Sequence, residues 1–360
     1  MTTAIAPLSQ AAGSDATVRA EVRNGTLLTT HGVISACAHC QAQLVTAGIG
    51  TRTALVTATP VGYGANELAA AFHLPAPSVG AAGGTVAIAS IAADPNLESD
   101  LATYRAQFGL PPCTTANGCL KVADYQGGPP LAPDPSAQGQ EFEAAFSTET
   151  SMDMEMASAA CPSCKLIELQ LPDADGVINS EDVVRGHFGT AAQTAVALGA
   201  TAFSMSYIYG ADTTGAPSRA LFHPGLAVVA SSGDRGFQGT QQVVWPQSLP
   251  WVIDAGGISL HKQGNTYTET AWSGAGSACE GDMPPAIGQP PSVSANCGGH
   301  RATSDVSAVA DPNTGVAVYD TYFPGTTQRS GWFVNGGTSA SSPVSSLIIC
   351  RSAPNPGRNR

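Results

Sequence analysis

A serine with the context of a nucleophile lies near the end of the sequence, in Gly336-Gly-Thr-Ser-Ala-Ser-Ser-Pro343. The two glycines allow a close turn before the serine, and the proline four residues after it favours the first turn of a helix. A serine at a helix N-terminus presents its hydroxyl outward, and its own N–H can point at a developing anion. Ser339 is therefore a candidate nucleophile, although Gly/Ser-rich loops also precede helices that have no catalytic role.

A nucleophilic serine needs a base, which a conventional triad takes from histidine. His31, in Thr-His-Gly-Val, has the most suitable histidine context, but we interpret it as a solvated loop residue. Glu149 and Asp153 are an alternative, because their spacing of four places them on one face of a helix. Like charges at this distance raise one pKa and favour a shared proton. The competing interpretation is a solvated acidic turn that interacts with the helix dipole.

A third carboxylate, Asp234, follows an apolar run in Ala230-Ser-Ser-Gly-Asp-Arg-Gly236. Functional sites of open parallel sheets assemble at the carboxyl ends of the strands. Asp234 is therefore a candidate site residue, although this pattern also occurs in ordinary turns.

Alternating apolar and amphipathic segments predict the scaffold that positions these residues. Short apolar runs predict strands buried on both faces of a sheet. They are Thr85–Ile91, Lys165–Leu171, Ala202–Tyr207, Leu226–Ala230 and Trp251–Ala255. Helices are predicted at 94–108, with Asp94 as N-cap and Pro95 in the first turn, and at 181–198, and Thr266–Trp272 is predicted as an edge strand. The pattern indicates an α/β fold with a doubly wound, mostly parallel sheet and helices on both faces.

Composition limits the class of function. The chain has 360 residues, of which 43% are hydrophobic and only 12% charged, so it has the material for a large core. A net charge of −12 opposes binding to nucleic acid or to an anionic membrane. No uninterrupted apolar stretch is long enough for a membrane span.

The nine cysteines indicate an oxidising compartment. Six of them form local pairs in or beside loops, which predicts disulfides between Cys113 and Cys119, Cys161 and Cys164, and Cys279 and Cys297. Cys37 and Cys40 form another C-x-x-C pair, and His31 and His39 beside it leave zinc as a competing interpretation. Cys350 has no obvious partner. No signal peptide is visible in residues 1–17, so either secretion uses a start upstream of this Met or the chain is a fragment of a longer gene product.

The ordered set of motifs resembles the sedolisins, or serine-carboxyl peptidases, which have a subtilisin-like fold. Glu149 and Asp153 match the family's Glu-x-x-x-Asp helix, and Ser232–Gly236 matches its Ser-Gly-Asp-x-Gly loop. Gly337–Pro343 matches its nucleophile motif Gly-Thr-Ser-Ala-x-x-Pro. The resemblance covers residues 62–343, and it is the order of the motifs that makes it specific.

The resemblance implies a serine endopeptidase that hydrolyses polypeptides at acid pH. Ser339 would attack the scissile carbonyl, Glu149 would take its proton, and Asp153 would hold Glu149 through a shared proton. Asp234 would stay protonated and stabilise the oxyanion together with the Ser339 N–H. We expect a secreted monomer that has polypeptide substrates and neither nucleic acid nor a membrane as partner.

The chain departs from the family's pattern at both ends. We interpret residues 1–60 as a leader or residual prosegment, because they are too short for the family's large prodomain, and residues 61–360 as the catalytic domain. The family implies a calcium ion, and we interpret the C-terminus as truncated before the segment that would carry the ligands of this ion. A catalytically inactive, truncated relative that serves as a secreted binding or surface protein is the alternative. A lipase-like hydrolase is disfavoured, because Ser341 stands where G-x-S-x-G needs its second glycine.

Overall fold

The computed structural model describes residues 10–11, 23, 31–35, 37, 40–49, 54–74, 84–172, 181–210, 215–239, 244–281, 283–322 and 331–352. Within these ranges the strands are β1 Gln10–Ala11, β2 Gly32–Ser35, β3 Gln43–Thr46, β4 Ala54–Thr57, β5 Thr85–Ile91, β6 Leu120–Asp124, β7 Lys165–Leu171, β8 Ala202–Met205, β9 Tyr209–Gly210, β10 Ala227–Ser231, β11 Val244–Trp245, β12 Val252–Gln263, β13 Thr266–Ala271, β14 Val306–Val309, β15 Val316–Asp320 and β16 Gly331–Gly336. The α-helices are α1 Ala65–Ala71, α2 Leu97–Gln107, α3 Ala137–Ala160, α4 Glu181–Ala197, α5 Ala216–Ala220, α6 Pro291–Ser294 and α7 Thr338–Ser352.

An eight-stranded sheet forms the centre of the molecule, in the order β13-β12-β10-β8-β5-β7-β6, with β14 paired to β12. All of its pairs are parallel except that between β12 and β13. Every residue of β5 and β7 after the first is buried, so both faces of the sheet are covered, as parallel strands require. The predicted α/β architecture with a mostly parallel sheet is confirmed.

The individual elements follow the sequence pattern closely, with two instructive differences. β5 and β7 have the predicted bounds, and β13 is the predicted edge strand. β12 continues to Gln263 because its second half is the inner partner of the hairpin with β13. α2 begins at Leu97, after the predicted start, because Asp94 turns inward and its carboxylate accepts a hydrogen bond from the Asn96 N–H at 3.0 Å.

A second sheet joins the described part of residues 1–60 to the rest of the domain. Its order is β1-β4-β16-β3-β2, with β15 on β16, and β16 pairs antiparallel with β3, β4 and β15. β16 leads directly into α7. The segment predicted as a leader or residual prosegment therefore packs against the strand that precedes the candidate nucleophile.

Two helices in the core carry three of the four candidate catalytic residues, Glu149, Asp153 and Ser339. In α3 every residue from 146 to 160 is buried, although the stretch contains three carboxylates. α3 packs against α7, and α7 packs against β8, β10, β12 and β14. Among the helices of the described ranges, none is long and apolar enough to cross a membrane.

In the described part of the chain four disulfides close short loops, and three of them are the predicted pairs: Cys113–Cys119, Cys161–Cys164 and Cys279–Cys297. The fourth joins Cys37 to Cys40. This disulfide excludes the competing zinc interpretation of Cys37 and Cys40, because a disulfide has no thiolate to bind zinc. The side chain of Cys350 and the residue His39 lie outside the described part of the chain.

Candidate active site

The turn between β16 and α7 presents Ser339. Gly337 has a φ of +98°, and a Cβ at this position would overlap the carbonyl oxygen of Gln41, so glycine provides both the conformation and the space. Pro343 lies in the second turn of the helix and not in the predicted first turn. Ser339 is buried: its N–H donates to the Gln41 oxygen at 3.2 Å, and its Oγ accepts from the Gln41 N–H at 3.1 Å.

Glu149 and Asp153 lie on the buried half of α3. Burial and the charge of Asp153 raise the pKa of Glu149 well above its usual range, and the hydroxyls of Ser339 and Ser206 oppose this shift. Neither oxygen of Glu149 makes a hydrogen bond of standard geometry. Ser206 Oγ donates to Asp153 Oδ1 at 2.9 Å, but burial dominates and the pKa of Asp153 is also raised. The pair therefore favours holding a proton over carrying two negative charges.

Asp234 lies in the loop that follows β10, against the start of α7. Its Oδ1 accepts from the Thr338 N–H at 2.8 Å and from Thr338 Oγ1 at 3.0 Å, and its Oδ2 accepts from Gln43 Nε2 at 3.0 Å. Burial raises the pKa of Asp234 to about 7, although these hydrogen bonds act in the opposite direction. In acid this carboxyl group is therefore protonated and can donate a hydrogen bond.

The structure brings the four candidate residues into one region of the core. The electrostatic environment of Glu149 includes Asp153, Asp234 and the Ser339 hydroxyl, which come from α3, the loop after β10 and the start of α7. His31 lies directly before β2 and is partly buried, so it is less solvated than we predicted.

Several contacts in this region involve residues that the sequence did not mark as functional. Thr338 stands inside the motif Gly337–Pro343, and Ser206 stands inside the apolar run Ala202–Tyr207, so these segments were the available signal. Gln41 and Gln43 gave no signal, because they lie in a weakly patterned segment that contacts the site only through the tertiary fold.

Among the described residues, no grouping of three carboxylates could hold the calcium ion that the resemblance implies, and this ion stays a prediction. Carboxylates and carbonyls are the ligands that calcium prefers, and the given sequence has no Asp or Glu after Asp320. Among the described residues, the grouping of three potential ligand side chains consists of Cys37, Cys40 and Glu149. Both sulfur atoms are committed to the disulfide, so this grouping does not suit a metal either.

The fold is similar to that of a solved serine-carboxyl proteinase. A structure of Pseudomonas sedolisin, a serine-carboxyl proteinase complexed with two molecules of pseudo-iodotyrostatin, matches with a TM-score of 0.57 and 21% identity over 82% of this chain and 80% of that one. Sphericase matches with a TM-score of 0.45 and 17% identity over 82% and 84%. A lanthipeptide protease matches with a TM-score of 0.44 and 14% identity over 82% and 84%. No protein-family model matches the sequence. The curated proteins contain no match either.

The first of these comparisons shows that the chain has a sedolisin-like, and thus subtilisin-like, protease fold. At 21% identity the likeness establishes the fold and leaves the reaction to be argued from the site.

Proposed function

We propose that the chain is a serine endopeptidase of the serine-carboxyl type that hydrolyses polypeptides at acid pH. The observation that carries this proposal is the grouping of Ser339 with the buried carboxyl groups of Glu149 and Asp153 and the half-buried one of Asp234, where α3, α7 and the loop after β10 meet. A protease fold and four disulfides support a secreted enzyme, because disulfides persist in oxidising compartments.

In the proposed reaction Ser339 Oγ attacks the scissile carbonyl carbon and its proton passes to Glu149. Asp153 shares a proton with Glu149 and so positions it, while Ser206 holds Asp153. The oxyanion accepts hydrogen bonds from the Ser339 N–H and from the protonated carboxyl group of Asp234. Glu149 then gives this proton to the amine that leaves the acyl-enzyme. In the second half of the reaction Glu149 takes a proton from water, the water oxygen attacks the ester carbonyl carbon, and Glu149 returns the proton to Ser339 Oγ.

The electrostatics of the site support an acid optimum. Asp234 donates to an oxyanion only while it is protonated, so this contribution falls as the pH rises through its pKa of about 7. Above that pH, three carboxylates would also repel one another in a buried site. A histidine base would behave in the opposite way, because it is mostly protonated in acid.

Digestion of denatured casein from pH 3 to 8 by the parent and by a Ser339→Ala variant tests the proposal. We expect the parent to be most active below pH 6 after prolonged incubation in acid, and the variant to be inactive. Equal digestion by both proteins would show that Ser339 is not the nucleophile. A folded parent without activity at any pH would favour the binding protein over the enzyme.

A further inference from the structure

Thr338 is the first residue of α7, lies directly before Ser339 and is fully buried. Its N–H donates to Asp234 Oδ1 at 2.8 Å, and its Oγ1 donates to the same oxygen at 3.0 Å. The Gly233 N–H in turn donates to Thr338 Oγ1 at 3.0 Å. The side chain of Thr338 therefore joins the backbone of the loop after β10 to one oxygen of the carboxyl group that this loop carries.

The direction of each of these hydrogen bonds follows from the protons available. A hydroxyl group has one proton to donate and two lone pairs that accept. The Gly233 N–H can only donate, so it uses a lone pair of Thr338 Oγ1 and leaves the hydroxyl proton for Asp234 Oδ1. With a proton on Oδ1 that pointed at Oγ1, the hydroxyl proton would have no acceptor among the contacts of the described residues. Asp234 Oδ1 therefore accepts two hydrogen bonds.

The two oxygens of Asp234 thus have different surroundings. Oδ1 accepts from two donors of Thr338, whereas Oδ2 accepts from Gln43 Nε2 alone, at 3.0 Å. Donors stabilise negative charge on the oxygen that they face, so a carboxyl group carries its proton on the other oxygen. When Asp234 is protonated, its proton therefore belongs on Oδ2.

Oδ2 is also the oxygen that faces the candidate reaction centre. A Cβ built on Gly337 would lie 2.7 Å from Asp234 Oδ2 and 1.9 Å from the Gln41 carbonyl oxygen. This carbonyl oxygen accepts from the Ser339 N–H at 3.2 Å and so marks where an oxyanion would lie. A proton on Oδ2 can reach an oxyanion at this position, whereas a proton on Oδ1 would point toward Thr338.

The charged groups around Asp234 do not distinguish its two oxygens. Glu149 on α3 senses the charge of Asp234, which contributes to the raised pKa of Glu149. Arg235 follows Asp234 in the loop but is exposed to solvent, which screens its charge. The hydrogen bonds from Thr338 oppose the effect of burial on the pKa of Asp234, so they stabilise its charged form.

We propose that Thr338 is a positioning residue of the oxyanion site, because its hydroxyl group holds Asp234 Oδ1 as an acceptor and thereby keeps the donor proton on Oδ2. The inference rests on the proposed function. When the tetrahedral intermediate forms, Asp234 Oδ2–H donates to the oxyanion and the proton stays on Asp234. Without the Thr338 hydroxyl, the proton divides between the two oxygens and the carboxyl group is free to rotate. Part of the enzyme then lacks this donor.

A double-mutant cycle tests this role with initial rates on fluorescein-labelled casein at pH 4. Thr338→Val keeps the size of the side chain and removes the hydroxyl group. We expect it to lower kcat about 10- to 100-fold, with KM within about twofold of the parent's value. In an Asp234→Ala background the same substitution should change kcat by less than about twofold, because the group on which it acts is absent. Thr338→Ser keeps the hydroxyl group and should retain at least about half of the parent's kcat.

The pH dependence of kcat is a readout that a loss of packing would not move. The Thr338 hydroxyl stabilises the charged form of Asp234, so its removal should raise the pKa of Asp234 above about 7. The neutral limb of the pH–rate profile should then move by about one pH unit to higher pH in Thr338→Val, and stay in place in Thr338→Ser.

Thr314→Val is the matched control. It removes another fully buried threonine hydroxyl, which accepts from the Leu260 N–H at 3.0 Å, and it should change neither kcat nor the neutral limb. A cooperative thermal transition establishes that each variant is folded, and Thr338→Ala takes the place of Thr338→Val, with the same expectation, if the latter does not fold.

The outcomes separate this inference from the proposed function. An equal loss of kcat on Thr338→Val in the parent and in the Asp234→Ala background would show that Thr338 does not act through Asp234, and would leave the proposed function standing. A parent-like kcat with an unmoved neutral limb in Thr338→Val would also overturn the inference alone. A folded parent that hydrolyses no casein at any pH would overturn both.

Discussion

Glu168 provides a quantitative prediction of how pH controls stability. It is fully buried in β7 of the central sheet, where Ser90 Oγ donates to its Oε1 at 2.8 Å and Gln170 Nε2 lies 3.3 Å from its Oε2. Burial raises its pKa from 4.5 to about 7, although these hydrogen bonds oppose the shift. The folded protein therefore keeps a proton on Glu168 that the unfolded chain releases between pH 4.5 and pH 7.

The sign of the effect follows from proton linkage. Where the folded state binds more protons than the unfolded state, the free energy of unfolding decreases as pH rises. The contribution of Glu168 is thus complete below about pH 4.5 and is lost as pH rises through about 7. One pKa unit corresponds to about 1.4 kcal/mol, so a change from 4.5 to about 7 amounts to about 3 kcal/mol. Glu168→Gln resembles the protonated side chain and should remove this dependence.

Urea denaturation at pH 4 and pH 7.5 measures the effect, in a Ser339→Ala background that prevents autolysis. We expect Glu168→Gln to match its parent within about 1 kcal/mol at pH 4 and to be about 3 kcal/mol more stable at pH 7.5. Glu269→Gln, at an exposed position of the edge strand β13, is the control and should have no such effect. An equal difference between Glu168→Gln and its parent at both pH values would refute this reasoning.

Substitutions at three further positions test separate parts of the structure. Asp234→Ala should lower kcat for casein about 10²–10³-fold in initial-rate assays, whereas Asp234→Asn should retain more activity and decline less near pH 7, because its amide donates without titrating. Asp153→Ala should lower kcat more than it changes KM and should shift the acidic limb of the pH–rate profile, which a merely structural role would leave in place. Tyr63→Phe removes the hydrogen bond from a buried hydroxyl to the Leu260 carbonyl oxygen at 2.7 Å and should cost about 1–3 kcal/mol in urea denaturation, with unchanged kcat.

The sequence was sufficient to predict six of the eight strands of the central sheet, all but β6 and β14, because the signal for those six is local. β5 and β7 are short apolar runs bounded by polar residues, and burial on both faces leaves no other arrangement for such runs. The spacing of Glu149 and Asp153 similarly placed both on one helix face. The local disulfides were predictable because each pair lies within a few residues or spans one loop.

The second sheet and the contact between Gln41 and Ser339 could not be predicted, because they depend on pairing between distant parts of the chain. β3 pairs with β16 across almost 300 positions, and its four residues carry no periodic pattern that could indicate a partner. Gln41 likewise reaches Ser339 only because this pairing places it there. Asp94 was predicted as a helix cap because its sequence context is typical of one. Its burial depends on the tertiary fold and could not be predicted from that context.

The dependence of kcat/KM on pH, for the parent and for Glu149→Gln after incubation in acid, tests the central claim most directly. If a carboxylate is the base, the parent should have its maximum below pH 6, and Glu149→Gln should lose at least about 100-fold at that maximum. A maximum above pH 7, or a Glu149→Gln variant as active at pH 4 as the parent, would contradict the proposed catalytic arrangement.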